Sequence, residues 1–458
     1  MLGSMTPAHR ASSTLTSPAP NRLAIRGDLL DFTGAPDWSD IEPSQLRFRA
    51  DHWLMIEGGR IQAVMTGTHA PDATWQRIDM RGKLILPGFI DTHVHSPQLD
   101  VIASHGTGLL EWLQTYTFPA EMRCAYEGEA TASAKRFLNA LFAHGTTSAM
   151  VFPTVHKVSA EALFDAASKR GMRLIAGKVL MNRHAPEGLR DDVEQAEKDC
   201  RELIAKWHGR DRLAYAITVR FAPTSTPEQL TMAGQLLAEH PGVYMQTHLA
   251  ETRDEVQWVY TLFPEARSYL DVYAQAGLLG PRSVFAHGIW LDTKDRAALQ
   301  QAGAQIAHCP TSNLFLGSGL FDWPRAEREG VAVSLASDVG GGTSLCMLRT
   351  MAEGYKVQAM LGHRLSAWTA LHAATRGAAQ ALGLGQEMGR LEPGLMADVC
   401  VWDWAVGPVA EHRLALAREL HERCFAWLTL GDERNLVQTY VAGVLQYERP
   451  QHRHTTAG

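Results

Sequence analysis

The sequence predicts an α/β chain: a (β/α)8 TIM-like barrel carrying a small β-sandwich domain built from both chain ends. Three observations lead there. After Pro87-Gly88, apolar strand-like runs alternate with amphipathic helices, the pattern of parallel strands joined by crossovers. Before that point and after about residue 396 the pieces are short, β-rich and separated by turns. The polar residues of the middle span fall at or just beyond strand C-termini, where a closed barrel gathers its working groups.

Taken in order, residues 1–21 are rich in Ser, Thr, Pro and Ala and lack the apolar core of a signal peptide, so they read as a disordered extension. Residues 22–83 hold β-type pieces such as Trp53-Leu-Met-Ile-Glu, broken by the turn Glu57-Gly58-Gly59-Arg60, and read as the first part of the sandwich. The barrel spans 84–396. Its candidate strands lie near residues 84, 147, 173, 213, 243, 283, 304 and 331.

The helices between them carry their own signals. Residues 134–143 place Phe137, Leu138, Leu141 and Phe142 on one face and stop at Gly145. A second helix, 160–170, stops at Gly171. Thr226, Pro227 and Gln229 form a capping-box pattern, with Leu230, Ala233 and Leu237 as the buried stripe behind it. Asp292 caps the helix before the strand ending at His308. Residues 397–450 return to short strands and complete the sandwich, and 451–458 form a tail.

Composition narrows the function classes. The chain has 458 residues, 45% hydrophobic and 20% charged, enough for one large domain with an accessory unit. Formal net charge is -6 with Lys and Arg dispersed, so nucleic acid and anionic membrane are not expected partners, and a small neutral or polar molecule is. No stretch approaches the ~20 apolar residues of a membrane-spanning helix. Cys124, Cys200, Cys309, Cys346, Cys400 and Cys424 lie far apart with no C-x-x-C, which argues against disulfides and thiolate zinc and for a reducing, cytoplasmic setting.

The first barrel strand ends in His93-Val-His95, whose side chains share a face and suit one metal ion between them. His248 and Asp338, at later strand ends, supply a third nitrogen and an oxygen. Each alone reads equally as a hydrogen-bonded rim residue; four at separate places on one rim read as a site. Glu251, three residues past His248, is either a group folded over the metal or a solvated helix-terminal glutamate. His287 is a candidate for an additional metal contact or for a group just behind the ligands, with orientation of a bound water as its milder role, and His308 reads as structural. The fourth strand has no lysine to bridge two metals and ends in Arg220-Phe221, so one metal is expected, with Arg220 suited to a substrate carbonyl. Lys178 reads as structural.

Pro-Gly-Phe-Ile-Asp-Thr-His-Val-His, His-Leu-Ala-Glu, Ala-His-Gly and Ser-Asp resemble the motifs of the amidohydrolase superfamily over about residues 22–450. Narrower motifs resemble its guanine deaminase family: His95-Ser-Pro-Gln98, Leu110-Glu-Trp-Leu, Tyr116-Thr-Phe-Pro, Arg220-Phe-Ala-Pro-Thr, His308-Cys-Pro-Thr-Ser-Asn313 and Gly431-Asp-Glu-Arg-Asn435. Val219 departs from the proline expected before Arg-Phe.

The resemblance implies one zinc per subunit on His93, His95, His248 and Asp338, with Glu251 and Asp338 moving protons and His287 holding the attacking oxygen. It implies that Gln98, Arg220 and Phe221 hold guanine, whose hydrolysis gives xanthine and ammonia, and that the chain is a homodimer. Trp112 is a candidate pocket wall or plain core. A related amidohydrolase acting on another amino-heterocycle, such as a triazine, would share the metal residues and differ in the pocket. A non-enzymatic scaffold would be expected to lose ligands, and none is missing. Gly431–Asn435 is expected to be a structural hydrogen-bond cluster, and residues 107–117 or 317–322 to form a lid.

Overall fold

The computed structural model describes residues 22–38, 40–106 and 108–450. The expected extension (1–21), the tail (451–458) and Thr107 of one lid candidate lie outside them. The strands, in chain order, are β1 (Leu23–Phe32), β2 (Leu46–Glu57), β3 (Arg60–Thr66), β4 (Gln76–Pro87), β5 (Phe89–His95), β6 (Thr146–Phe152), β7 (Arg173–Ala176) and β8 (Val179–Leu180). They continue with β9 (Leu213–Val219), β10 (Tyr244–Leu249), β11 (Ser283–His287), β12 (Gln305–His308), β13 (Ala332–Leu335), β14 (Val399–Trp402), β15 (Leu436–Val441) and β16 (Val444–Glu448).

Two sheets organise them. One runs β16-β15-β14-β4-β1-β2-β3 and therefore draws on both ends of the chain. It is mixed, because β1 runs parallel to β4 while β14 is antiparallel to both β4 and β15. The other runs β5-β6-β7-β9-β10-β11-β12-β13 in parallel, with β8 also pairing β9. Side chains close it into a barrel: Thr92 Oγ1 donates to the Leu335 carbonyl at 3.1 Å, and the Ser337 N–H donates to Asp91 Oδ1 at 3.1 Å. Backbone bonds from Asp338 N to His93 O (3.0 Å) and from His95 N to Val339 O (2.9 Å) complete the seam.

Alternation along the strands divides the core in two. Ile90, Met150, Ile175, Ala216, Tyr244, Val284 and Ala307 point inward and fill the barrel, floored by Leu382, Leu384 and Met388. Their neighbours point outward to the helices, where Phe137, Leu138, Leu141 and Phe142 pack. The amphipathic stripe expected at 134–143 thus belongs to a longer helix, Glu127–Ala143.

Two local details differ from the sequence reading. Leu84–Pro87 is the end of β4 in the small sheet, and the barrel's first strand starts at Phe89. The chain changes sheet at Gly88, whose N–H bonds the Asp398 carbonyl at 2.9 Å and where an added Cβ would sit 2.1 Å from Thr147 Oγ1. Thr226 does cap the helix Pro227–Glu239, accepting from the Gln229 N–H at 3.4 Å, but the box is not reciprocal. The Thr226 N–H that Gln229 would receive goes instead to Asn182 Oδ1 at 2.9 Å, and the Gln229 amide nitrogen donates to Asp191 Oδ2 at 3.4 Å.

Gly431–Asn435 sits between barrel and sheet. Asp432 receives Arg349 at 3.0 Å from the helix Met347–Met360, and the Asn435 amide donates to the Asp403 carbonyl at 3.0 Å, just past β14. All six cysteines are free and buried. Among the described residues no helix is long and apolar enough to cross a membrane.

Candidate metal centre and substrate pocket

The strand ends deliver four donors to one point. His93 and His95 leave β5 on the same face, with Nε2 atoms 3.3 Å apart. His248, from β10, places its Nε2 3.2 Å from that of His95. Asp338, just past β13, sets Oδ1 3.1 Å from His93 Nε2 and 3.3 Å from His95 Nε2. Donors held ~2.0–2.2 Å from a tetrahedral ion stand roughly 3.4 Å from each other, so the spacing fits such an ion.

Protonation points the same way. His248 Nδ1 donates to the Arg220 carbonyl at 2.6 Å, which leaves the Nε2 lone pair aimed at His95 Nε2. Convergent lone pairs in a buried place call for a cation. Burial holds His95 down at about 3, and burial with the neighbouring imidazoles holds His248 well below the usual histidine range. Both rings are thus neutral, as metal ligation requires. Burial opposes ionisation of Asp338, yet its close neighbours His93 and His95 outweigh it and hold the carboxyl well below its ordinary value.

Left-handed backbone at the strand ends aims these groups. Ala250, His287 and Asp338 have φ of 48°, 71° and 48°. Such conformations cost non-glycine residues about 1–3 kcal/mol each and persist only where the surroundings enforce them.

Glu251 is 2% exposed, so it is no solvated helix end, although the helix Arg253–Leu262 does begin just after it. Its Oε1 accepts from Ser318 Oγ at 2.8 Å, and its Oε2 lies 3.5 Å from His287 Nε2. Burial, then the charge of Asp338, pushes its carboxyl upward. Glu255 pins the backbone behind it, accepting the Glu251 and Thr252 N–H groups at 2.9 and 3.2 Å and the Tyr269 hydroxyl at 2.6 Å. The His287 ring donates through Nδ1 to Asn313 Oδ1 at 2.8 Å, leaving a buried Nε2 without a protein hydrogen bond, 3.7 Å from Asp338 Oδ2.

A pocket opens beside the donors, lined among others by Gln98, Trp112, Arg220, Phe221, Glu251 and Asp338. Gln98 lies in the turn Ser96–Val101 directly after the His pair, and its Oε1 accepts the Gly340 N–H at 3.2 Å. Arg220 donates through Nη1 to both oxygens of Glu121, at 2.6 and 2.8 Å. Leu109 and Leu113 from one lid candidate line the pocket, and Ser318 from the other holds Glu251.

His308 and Lys178 stand apart from this group. The ring of His308 lies between Phe321 and Trp323, with centroids 4.9 and 5.8 Å away, and Lys178 pairs with Asp191. Sequence reading passed over Glu121, Ser318, Asn313 and Glu255. Glu121 lies three residues after Phe118 on the helix Phe118–Arg123, hence on the same face.

Comparison with known proteins adds an independent observation. The amidohydrolase family model matches residues 84–445. The guanine deaminase of Escherichia coli K12 is 44% identical over 429 residues, 93% of this chain and 98% of that protein. The chain belongs to the amidohydrolase family. Within this family it groups with the guanine deaminases: the E. coli enzyme's structure superposes with a TM-score of 0.90, over 94% of this chain and 100% of that one. A guanine deaminase from C. acetobutylicum, solved with guanine in its active site, is 28% identical with a TM-score of 0.83, over 93% of this chain and 100% of that one. At 20% identity and a TM-score of 0.78, an atrazine chlorohydrolase from Arthrobacter aurescens, covering 93% of this chain and 95% of that one, shares the fold alone.

Proposed function

We propose that this amidohydrolase hydrolyses guanine to xanthine and ammonia, with one zinc per subunit on His93, His95, His248 and Asp338. The observation that carries the reading is the shared cavity. Three of the four convergent metal donors, His95, His248 and Asp338, form one wall, and an amide, a guanidinium and aromatic rings, the equipment for a flat polar heterocycle, form the others. The 44% identity to a guanine deaminase over nearly its whole length supports the choice of heterocycle.

A zinc ion held there supplies Lewis acidity and a nucleophilic water at neutral pH. The protein's own groups do the rest. Phe221 and Trp112 flank the ring, while Gln98 offers an N–H and a carbonyl oxygen to its edge. Arg220 donates to the 6-oxo group, and this donor rejects adenine, whose 6-amino group is itself a donor. Glu251, kept protonated by its burial, gives a proton to N3 as water adds to C2. Asp338 takes the proton from that water and passes it to the departing amino group, with His287 holding the oxygen through its free Nε2. Water enters, the bond from C2 to the amino nitrogen breaks, ammonia leaves, and the hydroxyl left on C2 becomes the 2-oxo group by returning its proton to Glu251.

The reading extends to setting and assembly. Six free thiols fit a reducing cytoplasm. Exposed Leu314, Phe315 and Leu430, which line one surface groove, fit a homodimer interface. Light scattering on the purified protein reads the subunit number. For the activity, guanine, adenine, cytosine and a chloro-triazine are offered in parallel with ammonia and chloride release followed. Guanine turnover at least a hundredfold above the others is expected. Silence on guanine with zinc fully loaded, or faster loss of chloride from the triazine, refutes the reading.

A further inference from the structure

Glu121 has no assigned part in the proposed reaction, yet it is a fully buried carboxylate beside the pocket. It is 0% exposed and does not line the cavity; it lies behind two residues that do. Arg220 Nη1 reaches both of its oxygens, at 2.6 and 2.8 Å, and Gln98 Nε2 donates to Oε1 at 3.2 Å. The Phe118 ring, from the same helix face, packs 5.8 Å from the guanidinium carbon.

We propose that Glu121 is a positioning and specificity-determining residue that locks Arg220 and Gln98 in their substrate-facing orientations and makes the pocket neutral. The proposal rests on the guanine reading above and deepens it.

Two consequences follow from the geometry. First, the Gln98 amide is fixed at both ends, since Nε2 donates to Glu121 and Oε1 accepts from Gly340. It has one N–H and one lone pair left for a ligand, in a known order along the ring edge. A flipped amide would face the Gly340 N–H with a donor and the carboxylate with an acceptor. Second, Arg220 carries a permanent charge and is 3% exposed. With a carboxylate against it, the guanidinium presents donors without a net field, which suits a neutral amino-oxo purine. Without that carboxylate the same donors would form an anion site, and anionic purines would compete.

The test compares E121Q, E121D and wild type, each checked for zinc content and melting temperature, with guanine as substrate and urate as an anionic purine inhibitor. In E121Q, KM for guanine should rise at least tenfold while kcat stays within threefold, and urate should inhibit at least threefold more tightly. E121D keeps the charge and should return urate inhibition to the wild-type value. An unchanged KM in E121Q, or a raised KM with urate inhibition untouched, overturns the proposal. Should E121Q fail to fold, E121M/R220M decides, because removing both charges leaves none unpaired. That variant should lose guanine affinity without gaining any for urate, and a wild-type KM in it would overturn the proposal. Wild-type protein that does not turn over guanine at all refutes the functional reading instead, so the two failures are distinguishable.

Discussion

At the scale of the residue, environment divides one carboxylate chemistry into two. Asp338 is held ionised by its imidazole neighbours, whereas Glu251, three strands away in the same buried space, is pushed toward its protonated form by burial and by Asp338. Glu251→Gln keeps the shape and the Ser318 contact but cannot give up a proton. It should retain zinc and bind guanine while losing roughly a thousandfold in kcat; an active Gln variant removes Glu251 from proton transfer. Another residue-scale expectation concerns acid stability. His372 is mostly buried beside Phe32, its Nε2 has no partner, and burial with the charge of Arg376 lowers it to about 4. Since its folded value lies below that of the unfolded chain, its stabilising effect is complete above about pH 6.5 and is lost as pH falls toward 4. Between pH 7 and pH 5 wild type should lose about 2 kcal/mol more unfolding free energy than His372→Gln. Identical pH slopes in urea titrations would show that His372 does not carry the effect. The cluster His93, His95, His248 and Asp338 was legible in the sequence because each lies at or just past the end of a strand, a position the alternating pattern reveals. Glu121 was not, because its partners Arg220 and Gln98 are 99 and 23 residues away and only the closed barrel brings them together.

Among elements, the strand-to-loop junctions do most to shape the site. The run Leu84-Ile-Leu-Pro-Gly-Phe-Ile reads as one apolar strand, yet it is the end of β4 and the start of β5, in different sheets. Periodicity cannot reveal the break, since both segments are fully buried. Thr147, on the neighbouring β6, leaves no room for a side chain at residue 88. Gly88→Ala should therefore destabilise the protein by about 1–3 kcal/mol through overpacking. Thr147→Ala should restore part of that loss in the double variant, read as melting temperature. Strictly additive losses in the two single and the double variant would mean that the contact does not govern the junction. The third barrel strand escaped a simple reading for a similar reason. It is split into β7 and β8, with Lys178 between them drawn to Asp191.

For the molecule as a whole, the small sheet fixes how the barrel is held rather than what it does. Asp398, next to β14, receives Arg212 from the foot of β9 in a buried ion pair and also accepts the Ala442 N–H at 2.8 Å. Barrel and two-ended sheet are thereby tied at the end opposite the pocket. That strands from both chain ends share one unit was legible from their common short-strand texture; the order β14-β4-β1, which needs long-range pairing, was not. The central claim is that one metal, on the four donors that this architecture assembles, enables guanine hydrolysis. The most direct measurement strips the metal with a chelator and titrates zinc back while ammonia release from guanine is followed. Activity should vanish in the stripped protein and return linearly, with a break at one zinc per chain. A break at two zinc ions, or activity that survives complete removal of metal, would contradict it.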